Sequence, residues 1–309
     1  MALATTTTTT TATTLRKRTT PPLRAAARKR TSRGTVTTRM ASASVERQGS
    51  ARSWGPPESD VDVVVGNAKR GRGRDWTQVK GFLFDIDGTL TNTDPLHLVA
   101  IRDTFARAGA SHVVVDEDFI RREISGVDNL DIANKWLTHL SAAEKDQWIL
   151  EKEAYFREVA RSQIKPVDGL ADLLQWIKAR DVKCAAVTNA PKKNAEMILS
   201  GLGLTDTFDA IVIGCDPTQC QHAKPHPEPY LKAMALLGLE PHECCAVEDS
   251  VTGATAAVAS GAHTVGILTS QTEEKLAKVG VKQTIRDYVQ LLGEIKESEI
   301  GENAASGGC

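Results

Sequence analysis

The chain has 309 residues, 41% of them apolar and 25% charged, with 38 basic against 39 acidic side chains. That is enough apolar material for one large domain or two modest ones, and no run reaches the roughly 18–20 apolar residues that span a bilayer, so no membrane embedding is expected. The balanced charge hides an asymmetry: nine Lys or Arg precede the first acid, Glu46, and without them the formal charge falls from −1 to about −10, which argues against a nucleic-acid surface.

Residues 1–45 are basic, acid-free and rich in Thr and Ala. They lack the apolar core of a secretory signal, and this composition predicts an organellar transit peptide. The Ala and Thr content favours the plastid, hence a chloroplast stroma location, over the mitochondrion; the alternative is a basic arm for an acidic partner. Residues 46–78 mix Gly, Pro and Arg and read as linker. From residue 79 short apolar runs alternate with amphipathic stretches. VKGFLFD is a strand. DPLHLVAIRDTFARAGA is a helix, with Asp94 as N-cap, Pro95 at its first position and Leu98, Ile101, Phe105 and Ala108 on one face. Three further helical patterns follow, with Asp128 and Ser141 at cap positions, so residues 93–164 form an all-helical insert. Strands and helices then alternate through VKCAAVT, DAIVIG, ECCAVED and AHTVGIL to a last helix, IRDYVQLLGEI. Repeated strand–helix units predict an α/β fold with a parallel sheet. The core is residues 79–92 and 165–295, and residues 296–309 are expected to be a flexible tail.

Six cysteines give no disulfide framework. Cys184 and Cys244-Cys245 lie in apolar runs and read as buried thiols. Cys215, Cys220, His222 and His226 are near one another, but their spacing matches no common zinc pattern.

In such folds ligands bind beyond the carboxyl ends of the strands. The first strand ends in Asp85-Ile86-Asp87, followed by Gly88-Thr89. The second ends in Thr188-Asn189, the loop after the third carries Lys224, and the fourth ends in Glu248-Asp249. Each residue alone has a bland reading, as a turn cap, a strand end or a solvated lysine. Together, at one edge, they suit phosphoryl transfer through a carboxylate. Asp85 would attack phosphorus, and Asp87 would protonate the leaving alcohol and then activate water. Mg²⁺ held by Asp85, Asp249 and the backbone carbonyl of Asp87, with Glu248 bound directly or just behind, would offset the repulsion between anions. Lys224 adds positive charge, and the Thr188 hydroxyl and Asn189 would bond phosphate oxygens.

The strings DIDGT, VTNA, AKPHPEP and VEDS resemble the four signature motifs of the haloacid dehalogenase superfamily. The resemblance covers about residues 79–295. The insert resembles the helical cap of the β-phosphoglucomutase-like branch, and longer strings such as KPHPEPYLKA are similar to plant small broad-range sugar-phosphate phosphatases. The resemblance implies a Rossmann-like core with a small helical cap closing over a small-molecule phosphate ester, and no obligate protein partner. It places His97 and Gly126, in the cap string SGV, next to the substrate. Mutases of this branch carry Lys and Arg around that Gly-Val to hold a second phosphate, whereas Ser125 and Asn129 stand here. The expected function is thus a Mg²⁺-dependent phosphatase acting on small phosphorylated sugars or polyols. The alternatives are a β-phosphoglucomutase-type mutase and a pentulose-bisphosphate phosphatase. A phospho-receiver module has a similar acidic pocket, but receivers are smaller and have no cap.

Overall fold

The computed structural model describes residues 76–306. The segment expected to be a transit peptide, most of the expected linker and Cys309 lie outside the described residues. Six parallel strands form one sheet in the order β3-β2-β1-β4-β5-β6: β1 Gly81–Phe84, β2 Lys183–Thr188, β3 Ala210–Ile213, β4 Cys244–Glu248, β5 His263–Ile267 and β6 Gln283–Ile285. β1 is central, paired with β2 on one side and β4 on the other. The chain thus winds outward in both directions from β1, and the strand order reverses at that point, where an open parallel sheet leaves a crevice.

Side-chain alternation splits the core into two layers. Phe82, Phe84, Cys184, Ala186, Cys245 and Val247 face α5 (Leu170–Ala179), α6 (Lys192–Gly201) and α10 (Tyr288–Ser306). Leu83, Ala185, Val187, Cys244 and Ala246 face α7 (Glu228–Leu237) and α8 (Val251–Ala259). Every residue of β1 and β4 is buried. Strands covered on both faces read as continuous apolar runs, which is why these were visible in the sequence.

Between β1 and α5 there are only helices: α1 (Asp94–Arg107), a short α2 (Glu117–Phe119) that widens into a π turn over Ile120–Ile124, α3 (Asn129–Trp136) and α4 (Ala142–Ala160). Ile101, Phe105, Phe119, Ile132 and Trp148 make an apolar cluster of their own, with Leu98 and Ala108 packed at its edge. α4 also belongs to the main core, through Phe156 and Ala160. Its start is fixed by a capping box in which Ser141 and Glu144 bond each other's backbone N–H groups.

Four local expectations change. Helix α1 begins at Asp94, with Thr93 as its N-cap. Asp94 is therefore inside the helix, and its carboxylate accepts a bond from the Ser125 hydroxyl (3.0 Å) instead of capping the backbone. Residues 76–78, expected in the linker, form a 3₁₀ turn whose Trp76 is buried and stacks on Phe82. The tail expected from residue 296 continues α10 to Ser306. Its Glu, Lys and Ala content favours helix, and Glu299 takes a two-pronged bond from Arg180 (3.1 and 3.0 Å). Finally, α9 (Glu273–Lys278), capped by Thr272, and the three-residue β6 were too short to show periodicity.

Candidate active site

The sheet brings the sequence-predicted residues together. Asp85 follows β1, Thr188 ends β2 and Glu248 ends β4. All three are buried, as are Asp249 and Lys224. Lys224 Nζ donates to Asp85 Oδ1 (2.7 Å), to the Val187 carbonyl (2.7 Å) and to Glu248 Oε1 (2.5 Å). These three acceptors use every donor the ammonium has, so one side chain ties the ends of β1, β2 and β4. Glu248 also accepts from Tyr230 Oη (2.6 Å) and, at 3.3 Å, from the Ser250 hydroxyl.

One carboxylate oxygen each from Asp85, Glu248 and Asp249 lies within 4.8 Å of the others. Among the described residues Lys224 is the one cation paired with this group, through Asp85 and Glu248. Burial, opposed by Lys224 but reinforced by Glu248 and Asp87, pushes the Asp85 carboxyl up to about 8. Burial and then the fields of Asp85 and Glu248 push Asp249 well above the carboxylate range. Burial works against the charge on Lys224, but Asp85 and Glu248 more than offset it and raise its pKa. Buried acids that outnumber their cations call for another positive charge. Hard oxygen donors at this spacing fit a hard divalent cation. No comparable His/Cys/Asp/Glu cluster occurs among the other described residues, the Cys215–His226 segment included.

The turn after β1 is held from several sides. The Gly88 N–H bonds the Thr91 carbonyl (2.8 Å), Thr269 Oγ1 donates to the Gly88 carbonyl, and Tyr288 Oη donates to the Thr89 carbonyl (3.1 Å). Gly88 sits at φ +79°, and a Cβ there would collide with the Asp249 carboxylate, so two constraints demand glycine. Neither of the buried carboxylate oxygens of Asp87 accepts a hydrogen bond. His97 Nε2 stands 3.5 Å from Asp87 Oδ1, with its ring stacked on Phe156 of α4 (centroids 4.1 Å apart).

Thr188 Oγ1 accepts the Ala190 N–H (2.9 Å) and lines the cavity. Asn189 lines the cavity too and is tied to the lysine loop. Its amide donates to the Lys224 carbonyl (3.0 Å) and accepts the Lys224 N–H (3.1 Å), fixing the lysine's backbone. Gly126, at φ +76°, brings the cap loop against Ser250 and Thr252; a Cβ there would lie 3.0 Å from Ser250 Cβ.

A cavity of about 360 Å³ opens above these groups, and its walls come from both the strand ends and the insert. The cap side holds a pair that the sequence gave no reason to suspect. Lys152 and Glu153 of α4 are both buried, bonded to each other at 2.8 Å. Glu153 Oε1 also accepts from Asn129 Nδ2 (2.8 Å), and Glu153 Oε2 accepts from Asn194 of the core helix α6. Burial raises the Glu153 pKa, but Lys152 and the Asn194 bond outweigh it and hold it at about 2. Arg121, Arg122 and Lys135, the other cap cations near the SGV string, pair with Glu117, Asp118 and Glu123 on the exposed surface.

Residues 79–261 match the family of haloacid dehalogenase-like hydrolases. The chain belongs to that family. It is 30% identical to the β-phosphoglucomutase of Bacillus subtilis, over 70% of this chain and 95% of that one. It is also 30% identical to a phosphorylated carbohydrates phosphatase of Thermotoga maritima, over 71% of this chain and 99% of that one. The crystal structure of β-phosphoglucomutase from Clostridium difficile superposes with a TM-score of 0.58 at 25% identity, covering 72% of this chain and 99% of its own. As a haloacid dehalogenase-like hydrolase of the β-phosphoglucomutase-like branch, the chain is an enzyme, and its sheet is the Rossmann-like core of that family.

Proposed function

We propose that the protein is a Mg²⁺-dependent phosphatase of small phosphorylated sugars or polyols, working through a phosphoryl group on Asp85. The observation that carries this reading is the set of buried acids at the strand ends, which outnumber the one fully bonded lysine among them, beside Asp87, whose oxygens accept no hydrogen bond and face His97. Lys224 fixes Asp85 Oδ1, leaving Oδ2 to attack phosphorus. The bond from phosphorus to the ester oxygen breaks as Asp87 gives that oxygen a proton. Asp87, now a carboxylate, takes a proton from water as the water attacks the phosphoryl group. The Asp85–phosphorus bond breaks and inorganic phosphate leaves. His97, 3.5 Å from Asp87, orients the acid and faces the same cavity. Asp85, Asp249 and the Asp87 carbonyl would hold Mg²⁺, with Glu248 adjoining. When bound, the ion would neutralise the phosphate's charge and let Asp85 ionise.

A mutase reading needs cations that grip a second phosphate. Ser125 is engaged by Asp94, and Asn129 by Glu153 and Lys152, so neither position offers one. Hexose 1-phosphate should therefore give free sugar and inorganic phosphate. The test is a panel of phosphate esters offered to the full chain with Mg²⁺ or with EDTA. Release of phosphate that EDTA abolishes and Mg²⁺ restores is expected. Faster interconversion of hexose 1- and 6-phosphates than phosphate release would overturn the reading. We assign residues 1–45 as a plastid transit peptide; a fluorescent fusion of residues 1–60 that stays in the cytosol would overturn that.

A further inference from the structure

The Lys152–Glu153 pair requires a reason for being where it is. A buried ion pair is a weak way to brace two elements, since well-packed apolar residues of similar size do it as well or better. This one lies in the cavity wall and joins cap to core through Asn194. Arg157 Nη1 holds the Asn194 carbonyl oxygen at 2.7 Å, which turns the Asn194 NH₂ toward Glu153.

Its valences are not filled. The Lys152 ammonium donates to Asn129 Oδ1 (3.0 Å) and Glu153 Oε1 (2.8 Å), which leaves one of three N–H groups over. Glu153 Oε2 accepts only from Asn194, so it has capacity for a second donor. A leftover donor next to a leftover acceptor suits a hydroxyl group, which both gives and takes a hydrogen bond. It does not suit a second phosphate, which only accepts at the charge it carries. The wall is also acidic: Asp94, Asp128, Asp131 and Glu153 line it, and among the described residues Lys152 is the one Lys or Arg there beyond Lys224.

We propose that Glu153, with Lys152, Asn129 and Asn194, is the specificity site of this enzyme: it reads a hydroxyl of the substrate's carbon skeleton and rejects a second anionic group. This rests on the phosphatase reading above and deepens it, from phosphate esters in general to monophosphates of neutral, hydroxyl-bearing skeletons. Because Asn194 comes from the core and Glu153 from the cap, the reading surface is complete only when the two are docked.

The test compares kcat/KM for fructose 1-phosphate, fructose 1,6-bisphosphate and p-nitrophenyl phosphate, the last lacking sugar hydroxyls. The full chain should prefer the monophosphate to the bisphosphate by about tenfold or more. Glu153→Gln should cut fructose 1-phosphate turnover about tenfold or more beyond any fall with p-nitrophenyl phosphate, and should narrow the monophosphate preference. If that variant fails to fold, Lys152→Met/Glu153→Met removes both charges without stranding either and should give the same loss of preference. Arg122→Gln, an exposed change off the cavity, should leave the ratios alone. An equal fall on all three esters, or a wild-type chain that takes the bisphosphate as readily as the monophosphate, would overturn the specificity site while leaving the phosphatase standing. No turnover of any ester would overturn both.

Discussion

The cavity has a buried Lys–Glu pair on each side, and the two pairs differ in almost every respect. On the core side, Lys224 meets Glu248 and Asp85, and its three donors are all taken. On the cap side, Lys152 meets Glu153 and Asn129 and keeps a donor in hand. The core lysine is outnumbered by acids, and the Asp85 carboxyl is pushed up to about 8. The cap glutamate is matched one to one, and its carboxyl is held at about 2. The same two residue types thus do opposite work. The saturated pair locks acids whose charge still calls for a cation, while the unsaturated pair is charge-neutral and keeps hydrogen-bonding capacity to spare.

The sharpest break in that comparison comes from the core side. Asp85→Asn should lower turnover by roughly 10⁴-fold or more, because it removes the carboxylate proposed to accept the phosphoryl group; steady-state kinetics against a sugar phosphate will measure this. Asp87→Asn should cost roughly 10²- to 10⁴-fold. The loss should be steeper for sugar phosphates than for aryl phosphates, whose leaving groups need no proton. A uniform loss would leave Asp87 without its acid role.

Lys224→Met removes the one direct counter-charge from buried Asp85 and Glu248. Breaking a buried pair this way typically costs about 3–5 kcal/mol. Thermal unfolding should show that loss, and Mg²⁺ should recover part of it by replacing the missing charge. The cap pair should show itself through pH. The Glu153 carboxyl is lowered from 4.5 to about 2 on folding, so the folded state binds its proton more weakly than the unfolded state does. Its contribution is therefore complete above about pH 4.5 and lost as pH falls toward 2, by a few kcal/mol at most. Chemical unfolding of wild type and Glu153→Gln between pH 2 and 6 should converge at the acid end. Parallel curves would mean that Glu153 is not held ionised by Lys152.

The core side was legible in the sequence because its functional residues follow apolar runs. Phe82-Leu83-Phe84 and Cys244–Val247 must be strands buried on both faces, and whatever ends them must lie at the sheet's carboxyl edge. Asp85, Thr188, Glu248 and Asp249 follow from that rule, whereas Lys224 lies in the loop between β3 and α7 and was picked out by the string AKPHPEP. The cap side resists the same reading. Lys152 and Glu153 are charged residues within a charged helix, and pattern alone assigns such residues to the solvent face. Their partners come from elsewhere: Asn129 lies 24 residues before Glu153, in α3, and Asn194 arrives from the core 41 residues later. Asn189 shows the same limit within a motif. The sequence placed it at the site, but only the fold reveals that its amide grips the Lys224 backbone. Asp94 was expected to cap its own helix, and it holds the cap's Ser125 because Thr93 starts the helix one residue earlier.

The central claim is that the phosphoryl group passes through Asp85, and it can be caught there. Asp87→Asn slows the water attack that clears the phosphoenzyme, so an acid quench of that variant during turnover of an aryl phosphate with Mg²⁺ should trap it. Intact-protein mass should rise by one phosphoryl group, the label should be released by hydroxylamine as acyl phosphates are, and peptide mapping should place it on Asp85. Turnover with no trapped phosphoprotein, or a phosphoryl group on any other residue, would contradict the account.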